Sequence, residues 1–261
     1  MNLSLEGKNA VISGSTQGIG LAIAEELALM GANCTLLARN EERLIAAQKS
    51  LDIALRQQHG YLLADFSDPS SVKKAIDEHL RSHTVHILIN NSGGPPAGPI
   101  TDAREEDFLS TFNQHLICNH ILAKAVIPGM KKQGYGRIVN VISTSVKIPL
   151  RNLGVSNTIR GAVASWAKTM ANELGEFGIT VNNVLPGLTS TQRLTTLIDS
   201  LAKKGNTQPD AIAKGMLSEV PAKRFAEASE IAAMAAFLAS PAASYVNGTS
   251  IPVDGGRTGS I

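Results

Sequence analysis

The sequence predicts an α/β protein: a Rossmann-like, doubly wound parallel sheet of about seven strands with helices on both faces, arranged as a three-layer sandwich. Short apolar runs such as NAVIS (9–13) alternate along the chain with segments of helical spacing such as IGLAIAEELALMG (19–31). Strands that are almost wholly apolar are typical of parallel sheets buried on both sides. With 43% hydrophobic residues, the 261-residue chain can form one large core, and we predict a single domain over residues 1–261.

Each predicted strand is a short apolar run that lies between segments of helical or turn character. In chain order the strands are NAVIS (9–13), CTLLA (34–38), GYLLA (60–64), VHILIN (85–90), GRIVNVIS (136–143), ITVNNVL (179–185) and GTSIPVDGG (248–256).

The predicted helices follow from apolar residues spaced three and four apart. The first is expected to end at Gly31, because glycine adopts the left-handed conformation that closes many helices. EERLIAAQKSLDIAL (41–55) is expected to form the second, and longer helices are expected at about 102–132 and 153–176. Residues 189–210 resemble a mobile insertion and are predicted to be a lid.

Composition excludes several classes of partner. The formal net charge is +2 without a run of basic residues, which argues against nucleic acid or an anionic membrane as a partner. The N-terminal segment has no signal-peptide pattern and no run of eighteen apolar residues occurs, so a cytoplasmic protein is expected. His79, His83 and His86 lack an acid or cysteine to complete a metal site, and no metal is predicted. A small molecule is the expected partner.

A glycine-rich loop, SGSTQGIG, follows the first strand and opens the first helix. Gly14, Gly18 and Gly20 would let the backbone approach a pyrophosphate at the positive end of that helix. A turn that needs glycine for its geometry alone remains the alternative.

Six motifs in order resemble the short-chain dehydrogenase/reductase family over nearly the whole chain. They are GSTQGIG, ADFSD, NNSGG, GRIVNVIS, ITVNNVLPGLTST and YVNGTSIPVDGG. The resemblance implies an NAD(P)-binding Rossmann domain and an oxidoreductase that interconverts a carbonyl and an alcohol, with a 3-oxoacyl thioester as one possible type of substrate. It also implies a homodimer or homotetramer formed through the two long helices, the second of which contains Trp166.

The resemblance also implies a set of cofactor-binding residues. Arg39 follows the second strand, where many NAD-binding members have an acid, and its guanidinium would pair with a 2′-phosphate. NADP is therefore expected rather than NAD, with a solvated Arg39 as the alternative. Ser92 stands where alanine is usual. The implied residues are Gly14, Ser15, Thr16, Gly18, Ile19, Gly20, Arg39, Asp65, Phe66, Asn91, Ser92, Gly93, Arg160, Pro186, Gly187, Thr189 and Thr191.

The catalytic positions depart from the family pattern. Ser143 matches the catalytic serine, although local capping at a strand end is the alternative. The tyrosine and lysine positions hold Ser156 and Arg160, a combination that resembles the 3-oxoacyl-carrier-protein-reductase-like subgroup. His115 aligns with the family's asparagine, with Asn113 and Asn119 close by.

Arg160 can hold ribose hydroxyls but cannot relay a proton as lysine does. His115 is a candidate replacement acid, with a helix histidine of satisfied hydrogen bonding as its alternative, and Lys147 is a further candidate donor. We therefore expect an oxidoreductase with an atypical site. A non-catalytic NADP(H)-binding sensor or partner subunit is the alternative.

Overall fold

The computed structural model describes residues 1–95 and 97–259. Over this part of the chain, seven parallel strands form one sheet in the order β3-β2-β1-β4-β5-β6-β7. The strands are β1 Asn9–Ser13, β2 Asn33–Ala38, β3 Gly60–Leu63, β4 Ile87–Asn90, β5 Gly136–Val141, β6 Ile179–Pro186 and β7 Ser250–Val253. The predicted doubly wound sheet is confirmed, and each strand lies within or beside its predicted run.

Helices cover both faces of the sheet. They are α1 Gly18–Leu29, α2 Glu41–Ser50, α3 Pro69–His79, α4 Glu105–Phe112, α5 Cys118–Gln133, α6 Gly154–Leu174, α7 Gln192–Lys204, α8 Pro209–Ser218 and α9 Ala228–Ala239. Successive strand residues face opposite layers: in β1, Ala10 and Ile12 pack with α1 and α9, whereas Val11 packs on the side of α3, α5 and α6. The predicted three-layer sandwich is thus confirmed.

Two helices differ from their predicted bounds. α2 ends at Ser50 rather than at residue 55, because Leu51 is extended and the Asp52 side chain accepts a hydrogen bond from the backbone N–H of Ala54. Such a local side-chain bond competes with continued helix. The long helix expected from about residue 102 begins at Glu105 and contains a π-helical turn at Asn113–Ile117 between α4 and α5. Gly31 has φ +96°, as expected for the residue that closes α1.

The cofactor crevice of such a sheet lies where the chain changes direction, beyond β1 and β4. There the Ser13 hydroxyl bonds the backbone of Asn91, with 2.9 Å to its nitrogen and 3.0 Å to its oxygen. The Asn91 side chain donates to the Gly14 carbonyl over 3.2 Å. These bonds fix the loops after the two strands against each other.

The segment predicted to be a lid contains α7 and the beginning of α8, which α7 contacts. Its mobility stays a prediction. Within residues 1–95 and 97–259, no helix has both the length and the apolar character needed to span a membrane.

Candidate active site

The glycine-rich loop forms a cradle at the start of α1. Gly14 has φ +60° and Gly18 has φ +57°, backbone conformations that residues other than glycine rarely adopt. A Cβ at Gly20 would collide with the Gly14 carbonyl. Gln17, which precedes α1, makes no capping bond through its side chain, so the first N–H groups of the helix can bind an anion.

Two of the predicted adenosine-side residues lie together at the ends of β2 and β3. Backbone hydrogen bonding from Ser67 lowers the pKa of Asp65, and the nearby charge of Arg39 also lowers it. Arg39 is solvent-exposed and Phe66 is half-buried beside Asp65. A guanidinium at this edge is free to meet a phosphate of a bound ligand.

The loop after β6 contacts the glycine-rich loop. The Thr191 side chain lies against Gly18, where an added Cβ would be 3.3 Å from Thr191 Cγ2. Thr189 is buried and its hydroxyl donates to the Gly187 carbonyl over 3.2 Å. Thr191 therefore brings the loop after β6 against the glycine-rich loop.

Ser156 and Arg160, the two catalytic departures from the family pattern, are bonded to each other. Both are buried in the first turns of α6. Arg160 Nε donates to Ser156 Oγ over 3.2 Å, and its Nη1 donates to the Ile142 carbonyl over 2.6 Å. Burial, followed by the charge of Arg193, lowers the pKa of Arg160 to about 10, so the guanidinium stays protonated at neutral pH. The arginine thus joins Ser156 to the end of β5.

The hydroxyl oxygens of Ser143 and Ser156 each accept a hydrogen bond from a neighbouring N–H group. Ser143 Oγ accepts from the backbone N–H of Ser145 over 3.1 Å, which is the capping interaction expected at a strand end. Ser156 Oγ accepts from Arg160. Among residues 1–95 and 97–259 neither hydroxyl has an acceptor for its own proton. Both O–H groups can therefore donate to a bound molecule.

Ser92 and His115 form a second bonded pair. His115 Nδ1 lies 2.9 Å from Ser92 Oγ, and its Nε2 is buried without a partner in the described part of the chain. Burial, followed by the charges of Arg160 and Arg193, lowers the pKa of His115 to about 3. The imidazole is therefore neutral at physiological pH. Asn113 is exposed, whereas Asn119 is buried in α5.

Sequence reasoning did not single out Arg193. This exposed residue near the start of α7 donates through Nη1 to the Gly94 carbonyl over 2.7 Å and through Nη2 to the Pro95 carbonyl over 3.2 Å. It bridges the loops after β4 and β6. Its position two residues beyond Thr191 was the available signal, but the direction of a lid side chain cannot be inferred from the sequence.

Lys147 is exposed in the loop after β5 and stays a candidate proton donor. The search of residues 1–95 and 97–259 finds no cluster of three metal-ligating side chains.

Comparisons with known proteins give the family. A family model described as Enoyl-(Acyl carrier protein) reductase matches residues 14–258. The 3-oxoacyl-(acyl-carrier-protein) reductase FabG of Vibrio cholerae is 35% identical over 259 residues, which cover 97% of this chain and 98% of that protein. The L-sorbose reductase of Gluconobacter frateurii, complexed with NADPH and L-sorbose, is 32% identical with a TM-score of 0.93 over 100% of both chains. YwfH, an NADPH-dependent reductase involved in bacilysin biosynthesis, is 29% identical with a TM-score of 0.91 and covers 97% of this chain and 99% of its own.

The chain belongs to the short-chain dehydrogenase/reductase family, as the sequence motifs predict. It is an NAD(P)-dependent oxidoreductase by family, acting between carbonyl and alcohol, and the predictions of enzyme class and fold are confirmed at this level. The roles of individual site residues stay predictions.

Proposed function

We propose that the protein is an NADP(H)-dependent carbonyl/alcohol oxidoreductase whose site has been rebuilt around two serine hydroxyls and a buried arginine. The observation that carries this proposal is that the departures from the family pattern are bonded in pairs, Ser156 with Arg160 and Ser92 with His115. Replacements that hydrogen-bond each other support a site that still functions rather than one that has lost its activity.

The cofactor is NADP(H), in agreement with the NADPH-dependent relatives. The left-handed backbone of Gly14 and Gly18, with the uncapped start of α1, provides a cradle that fits its pyrophosphate. Arg39 would pair with the 2′-phosphate. When bound, NADPH supplies a hydride to the carbonyl carbon of the substrate.

The chain's own residues would act on the carbonyl oxygen. Ser143 and Ser156 donate their free O–H groups to it, and the positive charge of Arg160 stabilises the negative charge that develops there. Because an aliphatic hydroxyl is a weak acid, the proton that completes the alcohol comes from water and passes through one of these serines. Arg160 also holds the ribose.

His115 has a positioning role in this scheme. With a pKa of about 3 it carries no proton to donate as imidazolium at neutral pH. Its bond to Ser92 instead orients the loop after β4, which the family resemblance places beside the ribose.

Single-turnover kinetics test the proposal. The protein saturated with NADPH is mixed with a panel of ketones, aldehydes and oxo acids, and oxidation of the bound cofactor is followed by its absorbance. We expect at least one carbonyl to oxidise the cofactor and Ser143→Ala to slow that oxidation. Tight NADPH binding without oxidation by any carbonyl would favour the non-catalytic alternative.

Assembly as a homodimer or homotetramer, and a cytoplasmic location, stay predictions. Leu109 of α4 is 65% exposed, and the half-buried Trp166 donates through its indole N–H to the exposed His120 over 3.3 Å. A second subunit that covered α4 and α6 would bury this apolar surface.

A further inference from the structure

Three loops meet at the mouth of the candidate active site and form one rim. We define the rim as residues 92–95, 97–99, 143–153 and 187–194. Gly98 N–H donates to the Asn152 carbonyl over 2.8 Å, which joins the loops after β4 and β5. Arg193 bonds the loop after β4 from the start of α7. These bonds join the loop after β4 to both of the other loops.

The charges of the rim all have one sign. Within these segments the charged residues are Lys147, Arg151 and Arg193, and all are cationic. Asp254, which lies beside Gly187, accepts from the backbone N–H groups of Gly256 and Thr258. Both of its oxygens accept from the turn after β7, and in the described part of the chain neither bonds Arg160 or Arg193.

Beneath the rim, Arg160 is a buried cation bonded only to neutral oxygens of Ser156, Val141 and Ile142. Its Nη2 makes no hydrogen bond to residues 1–95 or 97–259. Arg193 likewise bonds only carbonyl oxygens, and in this part of the chain neither guanidinium has a carboxylate partner.

The charges of Arg160 and Arg193 act on the same imidazole, since both lower the pKa of His115. His115 is 4% exposed, and its Nε2 has no partner among the described residues. His115 bonds Ser92, and Arg193 bonds the Gly94 carbonyl two residues further along the same loop, so the exposed Arg193 and the unused nitrogen lie around one loop. Arg160, the buried cation whose charge also reaches His115, is the one that would normally be compensated.

NADP(H) would not supply that compensation. Its negative charges are on the pyrophosphate and the 2′-phosphate, which the proposed function assigns to the start of α1 and to Arg39. The reduced nicotinamide is neutral and the oxidised one is positive. A negative group that pairs with Arg193 at the nicotinamide end would therefore come from another molecule.

We propose that the substrate is a small carbonyl compound that carries its own carboxylate, with the carboxylate held by Arg193 and the carbonyl oxygen by the serines beside the buried charge of Arg160. This inference rests on the proposed function. A guanidinium binds a carboxylate through two parallel N–H bonds, so Arg193 is the residue that selects acids over neutral ketones. Gly94 makes room for it, because a Cβ there would overlap the Arg193 guanidinium.

The test compares acids with their neutral esters. Pyruvate, acetoacetate and levulinate, each beside its methyl ester, place the carboxylate at three distances from the carbonyl. Hydroxyacetone phosphate, compared with hydroxyacetone, tests whether the site prefers a phosphate to a carboxylate. Calorimetry measures binding to the complex with NADP⁺, and single-turnover oxidation measures reaction with bound NADPH.

We expect at least one acid to bind about tenfold or more tightly than its ester, and Arg193→Gln to weaken that acid about tenfold while changing the ester less than about twofold. Gly94→Ala should weaken the acid too, since it displaces the guanidinium without removing its charge. Arg81→Gln, which removes an exposed arginine at the end of α3, is the matched control and should change neither ligand.

The inference is overturned if the esters bind as tightly as the acids, if none of the acids binds, if Arg193→Gln weakens acid and ester equally, or if the phosphate is preferred. Acids that bind without oxidising NADPH would contradict the proposed function and leave the carboxylate site standing. Neutral ketones that oxidise NADPH while acids do not bind would contradict the carboxylate site and leave the proposed function standing.

Discussion

Removal of one hydroxyl, by Ser156→Ala, tests whether the rebuilt pair acts on the substrate. In the natural protein the Ser156 oxygen accepts from Arg160 Nε at 3.2 Å, which leaves its proton for the substrate oxygen. The alanine variant removes that donor and leaves Ser143 as the other hydroxyl. Arg160 keeps its 2.6 Å bond to the Ile142 carbonyl, so its position should change little.

The expected magnitudes separate catalysis from stability. Removal of one donor to a developing oxyanion costs about 2.7–4 kcal/mol, or about a hundredfold to a thousandfold in rate. Because Ser143 still donates, we expect the lower end, about a hundredfold. The free energy of unfolding should fall by about 1–3 kcal/mol, since the buried Arg160 Nε loses its acceptor while the guanidinium keeps its other bonds.

The assay is single-turnover oxidation of bound NADPH, with the carbonyl compound that the natural protein reduces fastest. Thr158→Ala is the matched control, because the Thr158 hydroxyl donates to the Gly154 carbonyl of the same helix over 3.0 Å and lacks contact with Arg160. Urea unfolding measures the stability of each variant. A Ser156→Ala rate within about twofold of the natural rate would refute the assignment of this hydroxyl.

Further predictions address cofactor, assembly, pH and the catalytic pair. Arg39→Asp should reverse the preference for NADPH over NADH. The loss in binding free energy for NADPH should be a few kcal/mol, the scale of a lost charged hydrogen bond. Equal affinities of the natural protein for NADPH and NADH in calorimetry would contradict the role of Arg39. Sedimentation at micromolar concentration should show an oligomer, and a single species of 27.5 kDa would count against it. His115 is neutral in the folded protein but protonates below about pH 6.5 in the unfolded chain, so acid destabilises the fold. Between pH 7 and pH 5, the free energy of unfolding of His115→Asn should therefore fall by about 2 kcal/mol less than that of the natural protein. Urea unfolding measures this difference, and an equal fall in both proteins would contradict the prediction. Ser156→Tyr combined with Arg160→Lys should lower the native activity, because the phenol fills the space of the donor; a gain of ketone reduction by an inactive natural protein would instead favour the non-catalytic alternative.

The fold was predictable because its signals are local and repeated. Each strand is an apolar run, and in a parallel sheet both faces of that run are buried, so the pattern hardly depends on the neighbours. The predicted helices differ from the observed ones where a local feature, rather than the apolar spacing, determines the course of the backbone. Asp52 ends α2 through one bond to the backbone of Ala54, and the π-helical turn at Asn113–Ile117 disturbs the helix without a break in its apolar spacing.

The roles of the candidate site residues stay predictions, and only some of their contacts could be anticipated from the sequence. Ser156 and Arg160 are four residues apart on a helix, a spacing that brings side chains together, so their bond could have been anticipated. Ser92 and His115 are separated by 23 positions, and only the tertiary structure shows that they meet. Arg193 crosses the crevice to the loop after β4, a contact that depends on the direction of α7.

The geometry of Arg160 explains why arginine rather than lysine suits this site. Its bonds to Ser156 and to the Ile142 carbonyl come from different nitrogens, Nε and Nη1, while Nη2 makes no hydrogen bond to the described residues. An ammonium group has one nitrogen and would have to serve both acceptors from a single point. The short serine side chain in turn depends on the arginine, which fixes its oxygen and leaves its proton unused. Because the two residues share this hydrogen bond, either substitution removes it, and the effects of substitutions at the two positions should be non-additive, as expected of residues in direct contact.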